Sequence, residues 1–177
     1  MKLLRTIRLD ASDTFIFPAA AEPGDWAVSG AFAFDEAPAH VTGKALAAFR
    51  AGFLGVPSLG WSSLAQVVEI HARDREAAIE SLAHCLIERY GAPDFATARA
   101  AAAEEVDFAA SLCAHPPGTL IAVHRTSESD TVREVFRSLQ ARGVNARSRA
   151  FAFLDDAADD PSAEAVDLAA LARGDRP

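Results

Sequence analysis

Large apolar residues fall at every second position from Trp26 through Val28 and Phe32 to Phe34, with Ala27, Ser29, Ala31 and Ala33 between them. A period of two predicts a strand with one heavily packed face over 26–34. Leu3 to Leu9 reads as an edge strand, and Thr14 to Phe17 as a β-branched and aromatic strand stopped by Pro18. Between them, Glu22-Pro23-Gly24-Asp25 has turn chemistry, because Pro fixes φ and Gly accepts φ > 0. Leu46, Phe49 and Phe53 recur at spacings of three and four, which predicts a helix from a Thr42 cap to about Phe53.

Leu64 to Ile70 predicts a strand. A helix capped by Asp74 follows, with Ile79, Leu82, Ala83, Leu86, Ile87 and Tyr90 on one stripe and Gly91 as its left-handed stop. A second helix is expected from Asp94 to Cys113, ended by His115-Pro116-Pro117-Gly118. The apolar run Leu120 to Val123 marks 119–126 as a central strand. Val132, Val135, Phe136 and Leu139 then predict a helix capped by Ser127 or Ser129, and Arg149 to Leu154 a last strand.

This order predicts an α+β fold: a two-layer sandwich of a mostly antiparallel sheet with helices on one face, ferredoxin-like in the unit from Leu64 to Tyr90. One domain is expected over 1–154. An acidic, mobile tail is expected over 155–177, opened by Asp155-Asp156 and Asp159-Asp160.

Composition narrows the class. The chain has 177 residues, 50% hydrophobic and 24% charged, enough for one sizeable core. Abundant alanine and a basic set that is nearly all Arg (Lys2 and Lys44 are the exceptions) read as genome bias, so periodicity carries the helix assignments. Seventeen basic against twenty-five acidic residues give a net charge of −8, which disfavours broad contact with nucleic acid or anionic lipid. No apolar run approaches the roughly 18 residues of a membrane span, and Met1 to Asp10 is too interrupted for a secretory signal. Two cysteines make no disulfide framework, so a reducing, cytoplasmic setting is expected.

Catalytic signatures are weak. There is no nucleophile elbow, phosphate-loop lysine motif, H-E-x-x-H or paired C-x-x-C. The Gly52 to Ser63 segment, read as a loop, is rich in glycine and large apolar residues. Its glycines could let backbone amides meet a ligand, with Ser62 and Ser63 as donors and Trp61 as an apolar wall; alternatively Phe53, Leu54, Leu59 and Trp61 simply fill core. His124 could act as a base, with Glu69 or His71 to orient it, and Arg125 as an anion anchor, although neighbours on a strand face opposite ways. Arg133 and Arg137, with Arg142 and Arg147, form a local basic excess suited to an anion or an acidic partner. His84-Cys85 and Cys113-Ala114-His115 have zinc-ligand chemistry, but their placement on helices reads as ion-paired and core positions, so neither a metal nor a cofactor is expected.

The segments Gly52-Phe53-Leu54-Gly55-Val56-Pro57-Ser58-Leu59-Gly60-Trp61-Ser62 and His115-Pro116-Pro117-Gly118-Thr119-Leu120-Ile121-Ala122-Val123-His124-Arg125 resemble the signature stretches of an uncharacterised bacterial family of small cytoplasmic proteins. Met1 to Phe17 and Trp26 to Phe34 are also similar, so the resemblance covers about 1–154. It implies no activity and supplies no catalytic residues. The reading it leaves first is an accessory or binding protein, not an enzyme. Such a protein would contact another protein or a small ligand through the Gly52–Ser63 and His115–Arg125 segments. Two alternatives stand beside it: an enzyme acting on a small anion with His124 as base, and a homodimer paired through the Phe-rich strands 30–34 and 150–154.

Overall fold

The computed structural model describes residues 1–34, 41–128, 131–141 and 151–154; the expected tail lies outside them. Eight strands form one sheet: β1 (Lys2–Thr6), β2 (Trp26–Val28), β3 (Phe53–Val56), β4 (Trp61–Ser62), β5 (Leu64–Glu69), β6 (Leu120–Glu128), β7 (Thr131–Ala141) and β8 (Phe151–Leu154). Their order is β4-β3-β2-β1-β5-β6-β7-β8, and each neighbouring pair is antiparallel. The helices are α1 (Ser12–Ile16), α2 (Gly43–Ala51), α3 (Ala72–Tyr90) and α4 (Phe95–Ser111). The fold is α+β, as the pattern predicts.

α3 and α4 form where periodicity predicts helices; α3 starts at Ala72 with His71 as its N-cap, and Asp74, the expected cap, is the third residue of the helix. The Asp74 carboxylate accepts from the His71 amide at 2.8 Å, and Gly91 takes the left-handed stop at φ 70°. Asp94 caps α4 by accepting from the Thr97 amide at 2.8 Å. The two helices pack together, and α4 lies against β1 and β2. Because two helices intervene, the chain returns as β6 antiparallel to β5. That sets the unit apart from a ferredoxin-like one, where a single helix returns a parallel strand.

Five expected elements differ. Leu3 to Leu9, expected at a sheet edge, gives β1 inside the sheet, paired with β2 on one side and β5 on the other. Residues 12–16 are helical rather than extended: the Asp10 carboxylate accepts from the Ser12 amide at 2.7 Å and starts a turn that β-propensity alone opposes. The strand from Trp26 ends at Val28, because Gly30 turns left-handed at φ 76° and 31–33 coil into a 3-10 turn. A side chain at Gly30 would sit 3.1 Å from the Trp61 ring, so this glycine serves both the turn and the packing. Gly52 to Ser63 is a hairpin, β3 and β4, rather than a loop. Finally, 131–141 is strand β7 and not a helix: Val123 pairs with Phe136 and Arg125 with Glu134 along a nine-pair ladder. Tertiary pairing overrides a spacing that fits both structures. Of the two Phe-rich segments suited to self-association, only Phe151–Leu154 is a strand, and it lies at the sheet edge.

Burial shows how the sheet is covered. In β1 to β3 it does not alternate: Leu3, Leu4, Ala27, Val28 and Phe53 to Val56 (Gly55 included) are all buried. In β6 it does: Ile121, Val123 and Arg125 are buried, while His124 and Thr126 are exposed. The sheet also curls. Strands β3 and β7 are separated in the sheet by β2, β1, β5 and β6, yet the Phe53 and Phe136 rings lie 6.1 Å apart, and Phe108 of α4 packs edge-on to Phe136 at 5.7 Å. The inward faces of the two ends therefore share one core.

Gly60 marks a backbone crossing. A Cβ there would lie 2.3 Å from the Ala20 carbonyl oxygen, where Ala20 bridges to Trp61. Gly60→Ala is expected to cost about 2 kcal/mol or more in urea unfolding, because the atoms of Ala20 and Ala21 that the new side chain would meet are all backbone. Gly91→Ala, with open space around it, should cost only about 1 kcal/mol for its positive φ. Equal losses would refute the crossing as the cause.

Candidate functional site

Arg125 stands at the inner end of β6 with no solvent exposure. A buried guanidinium needs acceptors for five N–H groups and a balancing charge. It has both. Nε donates to Glu134 Oε1 at 2.6 Å, across the β6–β7 ladder. Nη1 donates to the carbonyls of Phe49 at 2.9 Å and Gly52 at 2.8 Å, so the cation caps the C-terminus of α2, where its charge suits the helix dipole. Nη2 donates to the Ser29 carbonyl and, at 3.1 Å, to Ser29 Oγ, which itself donates to Glu134. Burial pulls the Arg125 pKa down, and the hydrogen bond and charge of Glu134 oppose that. Glu105 on α4 faces the same cluster. Burial raises its pKa first, the Glu134 carboxylate next, against the pull of Arg125, and Glu104 adds a smaller push upward.

The candidate residues separate into two sets. Trp61 is packed inside, its ring 5.0 Å from that of Phe34. Ser62 donates to the carbonyls of Ile7 and Leu64 at 3.0 and 2.8 Å, and Ser63 is bound to Asp13 through its amide and hydroxyl. These groups and Arg125 are committed to the fold. Ser62 pairs with Phe53 on the inward face, while His124 pairs with Val135 on the outward face, so the structure does not bring Ser62 to His124. The convergence that an enzyme with His124 as base requires is not formed among the described residues.

The second set lies together outside. The register places Arg133 opposite Thr126, Val135 opposite His124, and Arg137 opposite Ala122, all on the outward face. His124, Thr126, Arg133 and Arg137 are exposed. Arg133 and Arg137 thus share a face, as a helix would also have given, but through strand parity. At the end of β6 this face meets a groove of about 410 Å3 lined by Leu46, Phe49, Arg50, His124, Thr126 and Ser127, with the stem of Arg125 in its wall. Arg50 is the residue that sequence reasoning missed; its position in the last turn of α2, next to Phe49, is the signal that could have found it. Arg50, His124 and Arg133 give this region a basic character in an acidic chain. It can hold negative charge, and the hydroxyls of Thr126 and Ser127 stand beside it.

The cysteines are no better placed for chemistry. Burial pushes the Cys113 thiol up to about 11, and its Sγ lies 3.4 Å from the Ala109 carbonyl. Among the described residues no group of three or more His, Cys, Asp or Glu is placed to hold a metal, and no helix is long and apolar enough to cross a membrane.

These features define a small α+β protein whose curled antiparallel sheet is fastened by an internal guanidinium and which carries a basic outer hairpin face. A family model matches residues 1–156, and the chain belongs to that family, a family of unknown function (DUF6505). Neither the curated proteins nor the solved structures compared with the chain give a match.

Arg125→Ala is expected to cost about 3–5 kcal/mol in chemical unfolding, since it strands Glu134 and three carbonyls in the interior. A loss below about 1 kcal/mol, the scale of a surface ion pair, would contradict the clamp. Glu105 provides a pH test. A carboxyl with a raised folded pKa contributes stability that is complete below its unfolded pKa and is lost as pH rises through the folded one. Glu105→Gln should therefore unfold at a higher temperature than the native protein at pH 8, and the difference should disappear below the ordinary glutamate range, near pH 4. A difference that grows on acidification would reverse the assignment.

Proposed function

We propose that this protein is a non-catalytic binding module that contacts an acidic protein surface through the outward face of the β6–β7 hairpin and the adjoining α2–β6 groove. The observation that carries the reading is the strand register. It gathers His124, Arg133 and Arg137 on one exposed face, while the serines and Arg125 are spent inside. Arg133 and Arg137 are four residues apart on one strand, about 13 Å. That span exceeds a single carboxylate or phosphate and suits an extended acidic segment. In a chain of net charge −8, a basic stripe also orients an approaching partner, because the rest of the surface repels it. Two buried, free cysteines support a reducing, cytoplasmic setting.

The double variant R133E/R137E tests this. A photo-crosslinking residue at Thr126, in the centre of the face, should capture one acidic protein from the parent cell extract. Binding of that protein should fall at least about tenfold in the double variant and weaken steeply between low and physiological salt. Glu104→Arg and Asp107→Arg, on α4, should leave it unchanged. Equal capture by native protein and R133E/R137E would remove the reading.

A further inference from the structure

A second groove, of about 600 Å3, lies between the β3–β4 turn and the C-terminal half of α3. Its floor and walls come from two elements. Ser81, His84, Cys85 and Glu88 stand at i, i+3, i+4 and i+7 on one face of α3, with Arg89 beside them. Pro57 and Leu59 of the turn face them. The turn is a fixed wall: Leu59 holds a left-handed backbone at φ 55°, its amide bonded to the Gly55 carbonyl at 2.9 Å. The His84 imidazole rests on the Phe95 ring at 5.3 Å.

The charged groups in the first turns of α3 are paired. Arg75 pairs with Asp107 and Glu76, Arg99 with Glu76, and Arg73 with Asp74. Glu88 and Arg89 form no hydrogen bond or ion pair among the described residues, although they carry opposite charges on adjacent positions. Both lie close to the Cys85 thiol. Burial raises that thiol first, Glu88 raises it further and Arg89 lowers it. The thiol is therefore a neutral, weakly polar floor between two opposite charges, and a poor nucleophile.

We propose that this groove seats a small zwitterion of amino-acid to dipeptide size, its carboxylate on Arg89, its ammonium on Glu88 and its apolar side chain over Cys85, Pro57 and Leu59. A simple anion on Arg89 would lie beside the Glu88 carboxylate, and a simple cation on Glu88 beside the Arg89 guanidinium. A ligand carrying both charges meets each group with its opposite. The volume exceeds that of a single ion and falls within the range of small-molecule sites. This site is separate from the hairpin face and stands or falls independently of it.

Slow alkylation of Cys85 over hours at neutral pH in the intact protein, located by mass spectrometry, reads the groove, and Cys113, buried like Cys85 but outside the groove, serves as the internal control. Glycyl-leucine should slow Cys85 alkylation severalfold with a half-effect near about 1 mM, an affinity suited to two exposed charge contacts. N-acetyl-glycyl-leucine and glycyl-leucinamide, each lacking one charge, should not protect. Glu88→Gln and Arg89→Gln, both at exposed positions, should each abolish protection while the unfolding midpoint stays unchanged. Equal protection by the capped peptides, or none from glycyl-leucine up to about a hundredfold higher concentration, would overturn the proposal.

Discussion

The structure depends on one buried cation. Arg125 ties β6 to parts of the chain that the sheet does not place beside it, the end of β2 at Ser29 and the end of α2 at Phe49 and Gly52, and adds a side-chain bond to its ladder partner Glu134 on β7. A guanidinium taken out of water loses several kcal/mol of solvation, and only matched acceptors offset that loss. Here all five N–H groups have one, and the single carboxylate that balances the charge is held by a serine hydroxyl as well. The curl of the sheet follows from this need, since the acceptors lie within reach only when β2 and β3 bend towards β6 and β7. The aromatic contacts Phe53–Phe136 and Phe108–Phe136 fill the remaining space beneath that bend.

The same side chain divides the hairpin into two chemistries. Strand alternation commits Arg125, Glu134 and Ser138 to the interior and leaves His124, Arg133 and Arg137 outside. The inner set fixes position, and the outer set is presented on a rigid ladder. A binding surface on a strand face costs little ordering on association, because the ladder already holds its backbone. Arg125 and the serines Ser29, Ser62 and Ser63 are taken up by contacts within the fold, and the exposed polar groups of the hairpin lie on its outer face. Membership in a family of unknown function neither adds to this nor contradicts it.

Legibility followed the range of the forces involved. α3 was readable because its apolar stripe, its start at His71–Asp74 and its stop at Gly91 are all local. β6 was readable as a strand from its run of four apolar residues, although its outer face is open at His124 and Thr126. β7 was not: Val132, Val135, Phe136 and Leu139 fit a helix by spacing, and only the partner strand decides otherwise. The Gly52–Ser63 hairpin reads as a loop because its glycines answer to distant neighbours, the Trp61 ring at Gly52 and the Ala20 carbonyl at Gly60. Arg125 reads in the sequence as an anion anchor and not as an internal residue. Its acceptors at Ser29, Phe49 and Gly52 lie 96, 76 and 73 residues away, with no sequence signal linking them.

Those separations bear on how the chain reaches its native state. The β6–β7 ladder is local and can form early, whereas the far acceptors of Arg125 arrive only after the ends of the sheet approach each other. Until then the cation stays hydrated, and any mispaired collapse that buries it is penalised by its lost solvation. The guanidinium thus acts as a checkpoint late in folding: a compact state with β2, α2 or β7 out of place is discriminated against, and the final closing step becomes all-or-none.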